Sequence, residues 1–305
     1  MPNAQNNLKN QLIGLLMVII SAISFATLGV FANKMFSLGL SANSILAWRF
    51  VGAGFILWSL LVIKKDVSLG AKESMIAFLL GLIGYAVASF CFMFAILNIG
   101  MAGATVLLYT YTTFSCLLRW FLFKRLPGPK DIIIALISFA GCVLVCGSTS
   151  FISSVGKINI GMLAGIISGL VYSLYLILNE KYLCNVSTVK SSAWITVGTG
   201  VAFTILSAIK HENIIPLNFA DAILPLLGII LVSTILPIVT LLQGIKLIGP
   251  VKAAVISTIE PCAAAIFGLI LFNQTLSPFQ IIGICLVVFS VIGTQNLPFL
   301  GKLFS

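Results

Sequence analysis

The sequence predicts an all-α integral membrane protein: ten transmembrane helices built from two inverted five-helix repeats, with both termini cytoplasmic. Three observations predict it. Ten apolar stretches fill almost the whole of the 305 residues. Lysine and arginine gather in alternate connections between those stretches. The second half of the chain repeats small and turn-forming residues of the first at a near-constant offset.

Hydrophobic residues make up 60% of the chain and charged residues 8%, with a mean hydropathy of +1.19. Soluble domains carry about 25% charged residues, so a water-facing surface cannot be built from this composition. A spanning helix takes about 20 mostly apolar residues. The predicted spans are 12–33, 43–63, 75–97, 102–122, 132–149, 160–180, 191–209, 223–245, 251–272 and 279–297. The first, opening at Leu12-Ile13-Gly14-Leu15-Leu16, is too long for a signal-peptide core and is read as a retained helix. The connections are short, and none holds a separate catalytic domain. Hydrocarbon offers the backbone no hydrogen bonds, so the spans must be helices. A barrel would alternate apolar and polar residues, and these stretches do not.

Charge fixes the orientation. One set of connections holds Lys9, Lys64, Lys65, Lys72, Lys124, Arg125, Lys130, Lys181, Lys190, Lys246, Lys252 and Lys302, and the opposite set only Lys34, Lys157 and Lys210. The positive-inside bias places the first set, and both termini, in the cytoplasm. Topology and contact with anionic lipid account for the net charge of +10, so no nucleic acid is expected. The seven cysteines lie in or beside apolar spans without disulfide-like spacing. Cys142 and Cys146 share a helix face but have no histidine or carboxylate near in sequence, so they read as packing residues, and no metal or other cofactor is expected.

Displaced by 149 residues, Gly100 meets Gly249, Ala104 meets Ala253, Val106 meets Val255, Phe123 meets Phe272 and Pro129 meets Pro278; displaced by 147, Gly14 meets Gly161, Ser21 meets Ser168, Lys34 meets Lys181 and Ser41 meets Thr188. The units are 12–149 and 160–297, five spans each. Five is odd, so the second unit enters the membrane from the opposite side, the plan of many secondary transporters with a site near the midplane.

The second unit reads Ile248-Gly249-Pro250-Val251-Lys252-Ala253-Ala254-Val255-Ile256-Ser257-Thr258-Ile259-Glu260-Pro261, then Leu269-Ile270-Leu271-Phe272-Asn273-Gln274-Thr275-Leu276. This resembles the EamA repeat of the drug/metabolite transporter superfamily, in which a Gly or Pro turn leads into an Ala-rich helix with a Glu-Pro or similar step at mid-helix. The resemblance covers nearly the full length. It implies ten spans, cytoplasmic termini and export of amino acids or related metabolites, with proton exchange as one form of coupling. The chain departs from the pattern at Thr112, where a helix-breaking proline is usual. It departs again at Lys124-Arg125 and Asn273-Gln274, where Gly-Glu often closes the helix, and at Arg119, opposite Gly268. Mechanisms that need those closing glutamates do not carry over.

Glu260 is the leading site candidate. It lies about nine residues into its span, about 14 Å deep at 1.5 Å per residue, near the middle of a core about 30 Å thick. An ionisable group at that depth is expensive and marks function. It suits an amino or cationic group, or a coupling proton where burial raises its pKa; a structural pairing with a buried cation is the alternative. Pro261 beside it frees a backbone carbonyl by kinking the helix. At the 149-residue offset Tyr111 is the counterpart of Glu260 and Tyr109 that of Thr258, and tyrosines bind flat ligands by stacking or through their hydroxyls. Ser168, Tyr172, Tyr175 and Asn179 follow one helix face beside the Gly161, Gly165 and Gly169 stripe, which suits close helix contact. Ser233, Pro237, Thr240 and Gly244 form a weaker stripe, with Pro237 as a second bend, and Gln243 lies nearer the cytoplasmic mouth. Arg119 reads as snorkelling to an interface. Arg49, about six residues inside its span, either snorkels or holds a carboxylate or phosphate. Its neighbour Trp48 belongs to the pathway or to an aromatic belt.

The single histidine, His211, stands beside Glu212 in an outer connection, and no Gly-x4-Gly-Lys-Ser/Thr motif occurs, which excludes a P-loop ATPase. Six of the seven acidic residues sit in connections or at span ends, so an intramembrane carboxylate-pair enzyme lacks its second acid. The reading is a secondary transporter of a small polar metabolite by alternating access, amino acids or related compounds first. A nucleotide-like or cofactor-like solute is the alternative. A membrane enzyme or scaffold acting on lipid is the reading from another class. Partners are the substrate and the bilayer. A monomer suffices for the pathway, and a dimer stays open. Lys, Ile and Asn usage with short loops suggests a bacterial inner membrane.

Overall fold

A computed structural model describes residues 2–124, 128–146, 160–212, 218–273 and 275–294. The expected span ends 147–149 and 295–297, and Arg125, Lys157, Gln274 and Lys302, lie outside the described residues. Among those described, every regular element is a helix. In chain order these are α1 (Pro2–Ala26), α2 (Leu28–Ser37), α3 (Ala42–Ile63), α4 (Ala71–Leu79), a π-helical segment (Leu80–Tyr85), α5 (Ala86–Leu108), α6 (Tyr111–Phe123) and α7 (Pro129–Cys146). There follow α8 (Ile160–Leu183), α9 (Thr188–Ile209), α10 (Phe219–Leu227), a second π-helical segment (Gly228–Ile235), α11 (Leu236–Ile248), α12 (Pro250–Ser257), α13 (Ile259–Phe272) and α14 (Pro278–Gly293).

Local chemistry sets several boundaries. Ser41 caps α3 by accepting from the Ser44 amide at 3.1 Å, and Asn218 caps α10 through the Ala220 amide. At α14 the Ser277 hydroxyl accepts from the Gln280 amide while the Gln280 side chain accepts from the Ser277 amide, with Pro278 in the first turn; this reciprocal cap satisfies two otherwise orphan donors. Gly100 (φ 78°, ψ 165°) interrupts the α5 stretch and Gly249 (φ 81°, ψ 161°) separates α11 from α12. That conformation is open essentially to glycine alone. Thr110 closes the turn before α6 by donating to the Leu107 carbonyl at 2.5 Å, and Thr258 does the same before α13 through the Val255 carbonyl at 2.6 Å.

Among the described residues, eight helical stretches are long and apolar enough to cross a membrane: Lys9–Ser37, Ala42–Ile63, Ala71–Gly100, Pro129–Cys146, Ile160–Leu183, Thr188–Ile209, Phe219–Ile248 and Pro250–Leu271. The predicted span 102–122 is not among them because it is broken at Tyr109–Thr110, leaving α6 with 13 residues. The predicted span 279–297 corresponds to α14, an apolar helix of 16 residues. Irregular backbone at that depth is tolerated where it faces protein or a cavity instead of lipid.

The main packing pairs are α5 with α8, α3 with α9, α7 with α14 and α1 with α11. Small residues permit these approaches. A Cβ added at Gly283 would stand 2.7 Å from the Gly141 carbonyl oxygen, where α7 crosses α14. Gly161, Gly165 and Gly169 of α8 face Asn98, Leu107 and Thr110. The largest buried apolar cluster holds Phe50, Tyr85, Tyr109, Tyr111, Tyr175 and Phe203, so the core is widest where the helices are least regular.

Candidate functional site

At that place lies a cavity of about 140 Å³. Glu260 and Arg49 both line it, with Tyr85, Tyr109, Tyr111, Tyr172, Phe25 and Phe92 as aromatic wall and Ser89, Met93 and Ser257 between them. Glu260 stands in the first turn of α13, where the helix dipole favours an acidic group. The residue is half-buried at the cavity wall, which Tyr109 also lines. Pro261, one residue on, is also in that first turn, where its missing N–H removes no helix bond. The bend at this depth is at Thr258, whose hydroxyl also meets that of Ser138 at 2.8 Å.

The aromatic wall is a continuous set of edge contacts. Tyr111 and Tyr172 meet edge to face at 5.0 Å, Tyr109 and Tyr111 lie 5.5 Å apart, and Tyr85 meets Tyr172 at 5.9 Å and Tyr175 at 5.3 Å. The Tyr111 hydroxyl donates to the Ala254 carbonyl at 3.3 Å and the Tyr109 hydroxyl to the Ser257 carbonyl at 3.4 Å. The break at Tyr109–Thr110 therefore turns both tyrosines onto α12, the helix that leads to Glu260.

Arg49 is 4% exposed. Its Nε donates to Thr234 Oγ1 at 2.7 Å and its Nη2 to the Ser233 carbonyl at 2.9 Å, and Tyr85 lines the same cavity. The guanidinium carbon lies 4.9 Å from the Phe50 ring centroid and 5.8 Å from that of Phe25. Snorkelling does not describe it: the head group points into protein.

The other predicted pathway residues stand elsewhere. Trp48 packs against Phe219 at 6.4 Å, about 100° around α3 from Arg49. Tyr175 lies behind Tyr172, ring centroids 5.8 Å apart, and lines an apolar groove on the far side with Ile83 and Tyr182. Asn179 is 2% exposed, and its Nδ2 has no hydrogen-bond partner among the described residues. Gln243 accepts from the Thr188 hydroxyl at 2.6 Å beside Lys246, which donates to the Val186 carbonyl, in a separate polar recess. Pro237 lies in the first turn of α11, and its carbonyl accepts from Ser21 at 2.8 Å. Arg119 pairs with Glu180 at 3.5 Å. Sequence reasoning missed Tyr85, which lines the cavity, and Thr234, which holds Arg49. Tyr85 and Ser89 are polar one turn apart in an apolar span, a pattern that could have found them. Among the described residues no cluster of histidine, cysteine and carboxylate forms a metal site.

The model of the EamA-like transporter family matches residues 12–147 and 159–295. The chain belongs to that family. It is an integral, multi-pass membrane protein, and its family points to a transporter rather than an enzyme. An uncharacterized transporter of Synechocystis sp. (strain ATCC 27184 / PCC 6803 / Kazusa), sll1319, is 27% identical over 197 residues, covering 62% of this chain and 56% of that protein. The uncharacterized transporter YcbK of Bacillus subtilis (strain 168) is 23% identical over 303 residues, covering 95% of each chain. A solved structure described only as "Crystal structure of protein" shares the fold with a TM-score of 0.76 and 17% identity, over 94% of this chain and 97% of that one.

Proposed function

We propose that this EamA-family protein is a secondary transporter that moves a small polar metabolite, amino acids or related compounds, across a bacterial inner membrane by alternating access. The observation that carries the reading is the cavity itself: a carboxylate, a guanidinium and tyrosine hydroxyls face one small space at the depth where lipid surrounds the bundle. Polar groups are costly there and are kept for substrate or ions. A volume of about 140 Å³, below the roughly 300–1,000 Å³ of drug-sized sites, suits a small solute.

In this reading ten segments cross the membrane, with Met101–Phe123 and Pro278–Gly293 as the fourth and tenth, and both termini are cytoplasmic. The two units, 12–149 and 160–297, are inverted repeats. Recurrence of backbone irregularities supports this. The π-helical segments, the left-handed glycines at 100 and 249, the breaks before α6 and α13, and the left-handed caps Lys124 and Asn273 (both φ 52°) recur near the 149-residue offset. The main packing pairs exchange under the same operation, α5–α8 with α11–α1. Alternating access is then a rocking of the units about the cavity between them, with Glu260 binding the amino group or carrying the coupling proton.

The test is counterflow into proteoliposomes containing only this protein, over pooled amino acids, nucleotides and cofactors, with Glu260→Gln beside the wild type. Expected is saturable flux of an amino-group solute that follows an imposed pH gradient and falls at least about 10-fold in the variant, the value of one hydrogen bond to a charged group. Absence of flux for every pool sinks the carrier reading. Full flux in Glu260→Gln leaves a carrier whose key residue lies elsewhere.

A further inference from the structure

Resting on the carrier reading, we propose that Arg49 is the anion-selecting residue of the cavity, fixed in place by Thr234 and the Ser233 carbonyl, so that a carried solute must bring a carboxylate.

Two observations carry this. The first is the company Arg49 keeps. It is buried, yet both of its hydrogen-bond partners are neutral: a threonine hydroxyl and a backbone carbonyl. Its remaining neighbours are the faces of Phe25 and Phe50. A buried cation without a directly paired anion is expensive. Glu260 shares the cavity, but among the described residues the ion pairs found within 4.0 Å are Arg119–Glu180 and Lys190–Asp66, not Arg49–Glu260. Both charged residues line the cavity. A guanidinium carries five N–H donors, so Arg49 keeps donors in hand after its bonds to the protein, and the fork geometry fits a carboxylate.

The second observation is how Arg49 is held. Thr234 Oγ1 donates its one hydrogen to the Ile229 carbonyl at 2.7 Å, five residues back along the second π-helical segment. Toward Arg49 Nε that oxygen can therefore only accept, and the guanidinium orientation is locked. The Ser233 carbonyl, in the same segment, takes the second bond. Arg49 comes from α3 and its anchor from the segment between α10 and α11, so the anion seat exists only where the two halves of the chain meet. Thr234 touches no solute; it is a positioning residue.

The experiment compares counterflow of each standard amino acid with its own decarboxylated amine, such as leucine against isopentylamine and phenylalanine against 2-phenylethylamine. It uses the wild type, Arg49→Gln, Arg49→Lys, Thr234→Val and Thr234→Ser, with the melting temperature of each in detergent as a check of folding. The wild type is expected to prefer the amino acid by about 10- to 100-fold, the range for a hydrogen bond to a charged group. Arg49→Gln brings the ratio toward one, and Arg49→Lys keeps part of it. Thr234→Val raises KM for the amino acid about 10-fold with little change in maximal flux, and Thr234→Ser, which keeps the hydroxyl, restores it. A folded Arg49→Gln with the wild-type ratio overturns the proposal, and so does a wild type that carries amine and amino acid alike or carries only solutes without a carboxylate; each leaves the carrier reading standing. Should Arg49→Gln fail to fold, an unchanged KM in Thr234→Val overturns it. A wild type that carries nothing overturns the carrier reading itself.

Discussion

The two π-helical segments occupy corresponding places in the two halves, and they are fastened differently. In the first, Leu80–Tyr85, the Gly81 carbonyl accepts from the Thr199 hydroxyl of α9 at 3.0 Å. In the second, Gly228–Ile235, the corresponding helix of the other half, α3, supplies Arg49 instead. At the 147-residue offset Thr196 stands where Arg49 does, and its hydroxyl turns back onto its own helix at Ser192. The first turn after the mid-span break carries the same kind of difference: Tyr111 in α6, Glu260 in α13. The backbone is close to a duplicate while the chemistry is split, one half giving the cation and the other the carboxylate. The two fastenings have different causes: the Gly81 carbonyl also takes the Ala86 N–H five residues on, whereas Pro237 has no N–H to offer the Ser233 carbonyl four residues before it, which leaves that oxygen to Arg49.

Four substitutions sharpen this contrast, in falling order of effect. The α7–α14 crossing is the least forgiving, because backbone meets backbone there. A Cβ at Gly283 would stand 2.7 Å from the Gly141 carbonyl oxygen and 2.8 Å from the Val145 amide nitrogen. Gly283→Val is expected to cost about 3 kcal/mol or more, from overpacking that no side-chain movement relieves. The readout is the melting temperature in detergent, and a shift under a degree would mean the helices can part freely. Next come the paired glycines. Gly100→Ala and Gly249→Ala each force a left-handed conformation worth about 1–3 kcal/mol of strain. At Gly249 the added carbon also meets Arg119 Nη1 at 2.9 Å, whereas Gly100 has open space. Gly249→Ala should therefore melt lower than Gly100→Ala, and the reverse order would break the comparison. The smallest effect belongs to Thr199→Val. It removes the hydroxyl bond to the Gly81 carbonyl, which keeps the Ala86 N–H, at no more than about 1 kcal/mol for one neutral hydrogen bond, and should leave the amino acid to amine flux ratio at its wild-type value, unlike Arg49→Gln.

The sequence made the apolar stretches, the positive-φ glycines and Glu260 legible, because length, composition and the cost of a buried charge do not depend on neighbours. Tyr109, Tyr111 and Tyr172 were legible through offset and helix periodicity. Whether a residue points into the cavity was not, since that depends on rotational phase. Trp48 and Arg49 are adjacent in sequence yet face Phe219 and the cavity respectively. The π-helical segments add a residue to a turn and reset the phase, so Thr234, inside the second, falls off a 3.6-residue count. Gln243 and Asn179 lie on polar faces as periodicity suggests, but those faces meet protein away from the cavity. The break at Tyr109–Thr110 hides inside a stretch that hydropathy reads as one span.

The packing pairs have a consequence for how the chain is made. α1 lies against α11, and α5 against α8, so α1 finds its chief neighbour only after some two hundred further residues have been synthesised. Contacts so distant in sequence form slowly. Until then the faces of α1 that will meet protein must rest against lipid or the insertion machinery. Arg49 waits longest among charges, entering the bilayer with α3 well before Ser233 and Thr234 exist to receive it. The step that completes the cavity is thus also the step that gives Arg49 its hydrogen-bond acceptors, and assembly of the bundle and creation of its central space are one event.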